Sequence, residues 1–127
     1  MSELHVVFGT GPLGRSVVNE LVRRGKRVRV VSRSGKMAEA PAGVELAGGD
    51  LYNPGVVRDL TQGAAVAYQC AQPHYHEWVE MFPALQAAIL QAAAANGARL
   101  VVGENLYMYG AFSGALREDS PIAPNSR

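Results

Sequence analysis

The sequence has little cysteine and no excess of charge of either sign. Cys70 is the single cysteine among 127 residues, so no disulfide can form within the chain and a reducing compartment is expected. Twelve basic residues nearly balance eleven acidic ones, which gives a formal net charge of +1. Bulk charge therefore gives no indication of binding to nucleic acid or to a membrane surface.

Long hydrophobic runs are also missing. The most apolar long stretch, residues 84–95, is rich in alanine, is interrupted by Gln86 and Gln91, and is too short to span a bilayer. Glu3 precedes a short first strand that contains His5, and no small-residue cleavage site follows a long apolar run, so no secretory signal peptide is predicted. The expectation is a cytoplasmic protein whose length suits one domain with one core.

A glycine-rich turn follows the first predicted strand. Residues 4–8 are mostly apolar and partly β-branched, which predicts a buried strand, and they lead directly into G-x-G-x-x-G. Gly9 permits a tight turn, Gly11 lets a pyrophosphate approach the backbone, and Gly14 lets the next helix pack closely on the sheet. Because a strand precedes the turn and a helix and a second strand follow it, the pattern favours a dinucleotide site over a merely structural turn.

Predicted strands and helices alternate along the whole chain. Further strands are predicted over residues 28–31, 44–47, 64–68 and 100–102, and helices over residues 15–24, 54–60 and 84–96. Pro83 follows a helical turn expected near residues 77–82, and it must either kink that helix or begin a new one. The alternation predicts an α/β fold with a doubly wound parallel sheet of about five strands in the order 3-2-1-4-5.

This topology brings five segments to one crevice, at the carboxyl ends of strands one and four. The residues expected there are Gly9, Thr10, Gly11, Pro12, Leu13 and Gly14; Ser32, Arg33 and Ser34; Asp50 and Leu51; Cys70, Ala71, Gln72 and Pro73; and Glu104 and Asn105.

The segment after strand two bears on which dinucleotide is bound. An NAD site usually has an acidic residue about 20 residues after the glycine turn, whereas an arginine there favours a 2′-phosphate. Here Arg33 stands between Ser32 and Ser34, and Lys36 adds positive charge. NADP is therefore expected in preference to NAD, and the alternative is a solvated basic loop.

Together these motifs resemble the extended and atypical short-chain dehydrogenases/reductases, the NAD(P)-dependent epimerase/dehydratase group. The resemblance covers essentially the whole chain and rests on the glycine motif, Gly49-Asp50-Leu51, residues 69–73 and Tyr109-Gly110. It implies that Asp50 contacts adenine and that residues 69–73 lie beside the cofactor. It also implies a small carbonyl or alcohol substrate, such as a sugar, and a cofactor-binding half, residues 1–127, of a longer enzyme. A homodimer is one assembly compatible with it.

The sequence departs from that family pattern at two positions. Asn105 lies five residues before Gly110, where the family has an active-site serine, and Asn125 stands where the tyrosine of Tyr-x-x-x-Lys is expected. Asn105 is therefore the candidate catalytic residue, through a hydrogen bond to a carbonyl or to the nicotinamide amide. The same departures leave open an NADP-sensing regulatory module, and a third reading is an interaction domain that needs no cofactor.

Other polar groups near the expected crevice have alternative roles. His74 and His76 lack the further ligands that a metal site needs, so they are expected to be surface or substrate-facing groups and no metal is predicted. Cys70 is expected to be packed rather than nucleophilic, because no base stands beside it in sequence. Asp50 is alternatively a turn cap, and Glu104 is a candidate general base.

Overall fold

The computed structural model describes residues 3–105, 107–111 and 113–124. Within these residues the chain forms the strands and helices expected of a doubly wound fold. They are β1 (Leu4–Phe8), α1 (Pro12–Arg23), β2 (Arg27–Ser32), β3 (Glu45–Gly48), α2 (Pro54–Leu60), β4 (Ala64–Gln69), α3 (Trp78–Ala95) and β5 (Arg99–Val102), with short 3-10 helices at Tyr75–Glu77 and Tyr107–Tyr109.

The five strands form one sheet in the order β3-β2-β1-β4-β5, and every neighbouring pair is parallel. The predicted fold and strand order are confirmed. In the centre of the sheet, Val7 on β1 lies opposite Val30 on β2 and Tyr68 on β4. The chain leaves β1 toward β2 and β3 on one side and returns through α2 to β4 on the other side, so the carboxyl ends of β1 and β4 flank the crevice of this topology.

The sheet separates two hydrophobic cores, which accounts for the apolar run of β1. Phe8 packs on one face with Leu85 and Ile89 of α3, and Val7 packs on the other face with Val18 of α1. All five residues of β1 are buried, because helices cover this central strand on both faces. The crevice therefore begins at the end of the most buried strand.

Two helices differ from the sequence prediction at their ends. α1 begins at Pro12, three residues before the predicted start, because proline suits the first position of a helix, where no N–H is needed. α3 runs continuously from Trp78 to Ala95 with Pro83 inside it, so the alternative in which Pro83 begins a new helix is wrong.

The segment after β5 turns back on itself. The 3-10 helix Tyr107–Tyr109 carries a buried Tyr109, and the backbone N–H of Ala123 donates to the carbonyl of Met108 at 2.8 Å. Asn125, at the position of the expected catalytic tyrosine, lies outside the described residues.

Candidate functional site

The glycine turn is packed against the loop that follows β4. Gly9 has φ +117°, and a Cβ built on it would lie 2.7 Å from the backbone nitrogen of Ala71. A Cβ on Gly14 would lie 2.1 Å from the carbonyl oxygen of Gly9. Neither position has room for a side chain, so the roles predicted for Gly9 and Gly14, a tight turn and close packing, agree with the geometry.

Gly11 differs from the other two glycines. A Cβ built on it would meet nothing within 4 Å, so its surface faces open space. It is the N-cap of α1, no side chain of the described residues caps this end, and Pro12 occupies the first turn. The first N–H groups of a helix have no partner within it, and they carry a partial positive charge. An open space beside an uncapped helix start fits a pyrophosphate.

The loop after β2 is ordered by its own serines. The hydroxyl oxygen of Ser32 accepts the Gly35 N–H at 3.0 Å, and that of Ser34 accepts the Lys36 N–H at 3.2 Å. A hydroxyl that accepts an N–H can still donate its own O–H, so these bonds shape the loop and are compatible with the predicted phosphate contacts. Arg33 is exposed between them.

Two glycines that the sequence analysis did not single out fix this loop to the next strand. A Cβ on Gly48, at the end of β3, would lie 2.8 Å from the backbone nitrogen of Gly35, and one on Gly35 would lie 3.1 Å from that of Gly48. The two backbones touch directly, because neither residue has a side chain. The contact holds the Arg33 loop beside the end of β3.

Asp50 and Leu51 follow β3 at the same edge of the sheet. The carboxylate of Asp50 accepts the backbone N–H of Tyr52 at 2.9 Å, as the turn-cap alternative predicts, and Leu51 packs against the core. Burial raises the pKa of the Tyr52 phenol, the carboxylates of Glu77 and Asp50 raise it further, and the Arg33 guanidinium opposes them. Tyr52, which the sequence analysis did not single out, is therefore within electrostatic reach of Arg33 and Asp50 from two crevice segments and of Glu77 after β4.

Cys70 lies beside the glycine turn. Its Cβ would be 3.5 Å from a Cβ built on Gly14, and burial raises the pKa of its thiol. A thiol with a raised pKa stays protonated near neutral pH, which agrees with a packing role rather than a nucleophilic one. Ala71 is half-buried, Gln72 is exposed and Pro73 is buried at the start of the next segment.

The end of β5 comes close to the start of α1. A Cβ on Gly103 would lie 2.5 Å from the end of the Leu13 side chain, so Leu13 reaches across the crevice to β5. Glu104 and Asn105 follow and are exposed. The side-chain oxygen of Asn105 accepts the backbone N–H of Tyr107 at 2.9 Å, which leaves its amide N–H groups as donors.

The two histidines after β4 form no metal site in the structure described. The rings of His74 and His76 stack with their centroids 5.9 Å apart, and His76 lies 3.7 Å from the Glu77 carboxylate. No cluster of three or more possible metal ligands occurs within residues 3–105, 107–111 and 113–124.

A buried histidine lies outside the crevice, on the face of the sheet that α1 covers. The Nδ1 atom of His5 is 2.8 Å from the Tyr68 hydroxyl, and its Nε2 atom is buried with no hydrogen-bond partner among the described residues. Burial lowers the pKa of His5, and nearby Lys26 lowers it further, whereas Glu3 raises it. Burial and Lys26 therefore favour the neutral form of this imidazole.

Several solved structures superpose on this fold. UDP-glucose 4-epimerase matches with a TM-score of 0.82 and 17% identity, over 97% of this chain and 42% of that chain. WbmH from Bordetella bronchiseptica, solved with NAD+, matches with a TM-score of 0.81 and 17% identity, over 98% of this chain and 47% of that one. MoeE5, solved with UDP-glucuronic acid and NAD, matches with a TM-score of 0.78 and 23% identity, over 98% of this chain and 44% of that one.

These likenesses show a shared Rossmann-type fold. The chain spans less than half the length of each of these three structures. No curated protein sequence matches it significantly. None of the helices in the described parts of the chain has the length and apolar character needed to cross a membrane.

A family model agrees with the resemblance read from the motifs. The model of the NmrA-like family matches residues 1–104, which include the glycine turn, all five strands and the loops after β2, β3 and β4. The match agrees with the predicted resemblance to extended and atypical short-chain dehydrogenases/reductases, and the predicted Rossmann-type fold is confirmed. This chain belongs to the NmrA-like family.

Proposed function

We propose that residues 1–127 are the cofactor-binding domain of an NAD(P)-dependent oxidoreductase of the epimerase/dehydratase type, acting on a carbonyl or alcohol. The contrast among the three glycines carries this proposal. Gly9 and Gly14 are closed against backbone, whereas Gly11 faces open space at an uncapped helix start. A purely structural turn has no need of a glycine at the open second position, whereas the close approach of a pyrophosphate requires one.

The segments around the crevice have separate tasks in this proposal. The free N–H groups at the start of α1, from Leu13 and Gly14, hold the pyrophosphate. The Arg33 guanidinium holds the adenosine end, with Asp50 and Tyr52 beside it. When bound, the nicotinamide ring supplies hydride transfer. The amide N–H groups of Asn105 orient the substrate carbonyl or the nicotinamide amide.

We propose NADP as the preferred cofactor. Residues 32–36 contain two cationic side chains, Arg33 and Lys36, and no carboxylate. The serine hydroxyl oxygens and the Gly35–Gly48 contact order this loop before any ligand arrives, so little conformational entropy is lost when a 2′-phosphate binds. WbmH and MoeE5 were solved with NAD, so NAD is the alternative cofactor to compare with NADP.

The substrate of the whole protein is proposed to be a small molecule. The structural neighbours include UDP-glucose 4-epimerase and a complex with UDP-glucuronic acid, which makes sugar-type alcohols and carbonyls the first class to test. Because the chain spans less than half of these neighbours, a further substrate lobe is proposed to complete the site. A homodimer is the assembly to test first, by measuring the mass in solution.

A second candidate function is an NADP-sensing regulatory module. It is favoured by Asn105, which stands where the family pattern has its active-site serine and whose side-chain oxygen is engaged by Tyr107. Such a module binds NADPH but interconverts no substrate. Turnover of any carbonyl or alcohol by the protein with bound cofactor argues against it.

A fluorescence titration with NADPH and NADH tests the proposed function. Gly11→Ala keeps an allowed backbone conformation and places a methyl group in the open space, so we expect it to fold normally and to weaken NADPH binding at least about tenfold. Gly55→Ala is the matched control, because its Cβ meets nothing closer than 3.5 Å and lies in α2. Failure of the unaltered protein to bind either dinucleotide overturns the proposal.

A further inference from the structure

A cavity lies between the second half of α1 and the sheet, away from the glycine turn. Its volume is about 470 Å³, within the range of small-molecule sites, about 300–1,000 Å³. Val17 and Leu21 of α1 and His5 and Tyr68 of the sheet contribute to its walls. The lining residues belong neither to the glycine turn nor to the loops after β2, β3 and β4. We call this space the α1 cavity.

His5 brings an unsatisfied polar atom to the α1 cavity. The residue is 6% exposed, its Nδ1 atom lies 2.8 Å from the Tyr68 hydroxyl, and its Nε2 atom is buried with no hydrogen-bond partner among the described residues. When the phenol donates to Nδ1, the proton of the neutral imidazole is on Nε2, which is then a donor without an acceptor. Buried donors are nearly always paired in folded proteins, so Nε2 is an anchoring point for an acceptor group in the cavity.

The charges around the α1 cavity favour an anion. Arg24 and Lys26 are the cationic residues that line it, and Glu20 is the acidic one. The Glu20 carboxylate is already engaged, because it accepts the Nε–H groups of Arg23 at 2.9 Å and of Arg24 at 2.8 Å. Lys26 takes part in none of the ion pairs formed by the described residues. With Glu3, which also acts on His5, two carboxylates face three cations and one positive charge remains.

The end of α1 does not oppose this preference. The last carbonyl groups of a helix carry a partial negative charge, which repels an anion when they are unpaired. Here the carbonyl oxygens of residues 20–22 each accept a backbone N–H from residues 24–26, at 2.9–3.1 Å. This pairing reduces the partial charge that an anion would meet, and the cationic side chains at positions 24 and 26 offset the rest.

We infer that the α1 cavity is a second ligand site, and that it binds a small carboxylic acid with a flat apolar body. The body packs against Leu21 and the Tyr68 ring, and the carboxylate accepts the Nε2–H of His5 with Lys26 as the counter-ion. His5 and Gly9 are four positions apart on an extended strand, which is about 13 Å. Occupancy of the α1 cavity is therefore independent of whether a dinucleotide binds in the crevice.

Nitrogen-15 NMR of the imidazole rings tests this site. The chain has three histidines, and the other two, His74 and His76, lie in the segment after β4 and serve as internal references. The protein is titrated with benzoate and with benzamide, which has the same ring and a similar shape but no charge. We expect benzoate to shift the Nε2 signal of His5 saturably, to raise the pKa of His5 because a nearby anion favours the charged imidazole, and to bind about tenfold more tightly than benzamide.

Substitutions separate the cavity from the surrounding surface. Lys26→Gln removes the cation at an exposed position and is expected to weaken benzoate binding about fivefold without changing benzamide binding. Arg27→Gln is the matched control, because Arg27 is exposed and adjacent in sequence but does not line the cavity. His5→Phe keeps a ring and removes both nitrogen atoms, so it is expected to weaken benzoate binding about tenfold. Circular dichroism checks its fold, and Lys26→Gln tests the site independently of that result.

Four outcomes are decisive. Equal binding of benzoate and benzamide, or benzoate binding that leaves the His5 signal in place, overturns the inference. Loss of benzoate binding on saturation with NADPH also overturns it, because benzoate would then lie in the crevice. Absence of any His5 shift in a protein with the mass of a dimer overturns it as well, because a second copy would then cover the cavity. Failure to bind NADPH with benzoate binding intact contradicts the proposed function alone.

Discussion

The side-chain oxygen of Asn105 accepts the backbone N–H of Tyr107 at 2.9 Å. This bond lies at the start of the 3-10 helix Tyr107–Tyr109, whose first residue places its ring 5.9 Å from that of Trp78. Asn105 therefore combines a local structural role, through its oxygen, with donor groups that stay available for a ligand.

Two substitutions at Asn105 separate these roles. Asn105→Asp retains the acceptor oxygen and removes the amide donors, whereas Asn105→Ala removes both. We expect the alanine variant to lose about 1 kcal/mol of unfolding free energy and the aspartate variant to lose little. If the amide orients the substrate, both variants lose turnover in the complete enzyme. Full turnover in Asn105→Asp would exclude the amide as a catalytic group.

Among the glycines of the turn, Gly14 is the one whose replacement by alanine is expected to lower the unfolding free energy most. In Gly14→Ala the new methyl group would lie 2.1 Å from the Gly9 carbonyl oxygen, so α1 must move away from the turn. Overpacking of this kind costs about 1–3 kcal/mol, measured by urea denaturation. Gly55→Ala serves as the control and is expected to lose no stability. An unchanged midpoint in Gly14→Ala would show that the helix start is not tightly held.

Arg33 is expected to set the preference for NADPH. Reversing its charge with Arg33→Asp removes the proposed partner of the 2′-phosphate and should weaken NADPH binding about 10- to 100-fold, with little loss for NADH. Arg117→Asp makes the same charge change at an exposed position of the C-terminal segment and should leave both affinities unchanged. Equal losses for the two dinucleotides in Arg33→Asp would contradict a 2′-phosphate contact.

Gly48 is expected to affect the preference for NADPH over NADH indirectly, through the loop that carries Arg33. The methyl group of Gly48→Ala would lie 2.8 Å from the backbone nitrogen of Gly35, so the loop that carries Arg33 must shift. We expect weaker NADPH binding in a fluorescence titration and a smaller effect on NADH, because the pyrophosphate site at Gly11 is untouched. NADPH affinity equal to that of the unaltered protein would show that the loop adjusts without cost.

His5 is expected to make stability depend on pH. Burial lowers its pKa in the folded protein below the ordinary value of 6.5, so the unfolded chain takes up a proton at a higher pH than the folded chain does. Neutral His5 contributes its full stability above the pKa of the unfolded chain. This contribution is lost as the pH falls from that pKa toward the lower pKa of the folded protein. Unfolding free energies measured from about pH 8 to about pH 5 should therefore fall less in His5→Gln than in the unaltered protein. Parallel pH profiles would contradict this role.

Local patterns were sufficient for the elements on which the site is built. The helix Pro54–Leu60 was predicted with its observed bounds, because Asn53 caps it by accepting the N–H groups of Gly55 and Val56. The buried strand β1 and the tight packing at Gly9 and Gly14 were also predicted, since a buried strand followed by a tight turn has a characteristic short-range pattern. The strand order followed from the alternation of elements together with the handedness of crossovers.

Contacts between distant segments were decided by the tertiary structure. Gly103 lies against the end of the Leu13 side chain, which belongs to a residue ninety positions earlier in the chain. The Gly35–Gly48 contact and the meeting of Trp78 with Tyr107 likewise depend on how neighbouring loops lie after the sheet has formed. Sequence alone determined which segments end at the crevice, because strand direction is set by topology. Only the folded chain decided which atoms touch there, because that depends on strand register and side-chain packing.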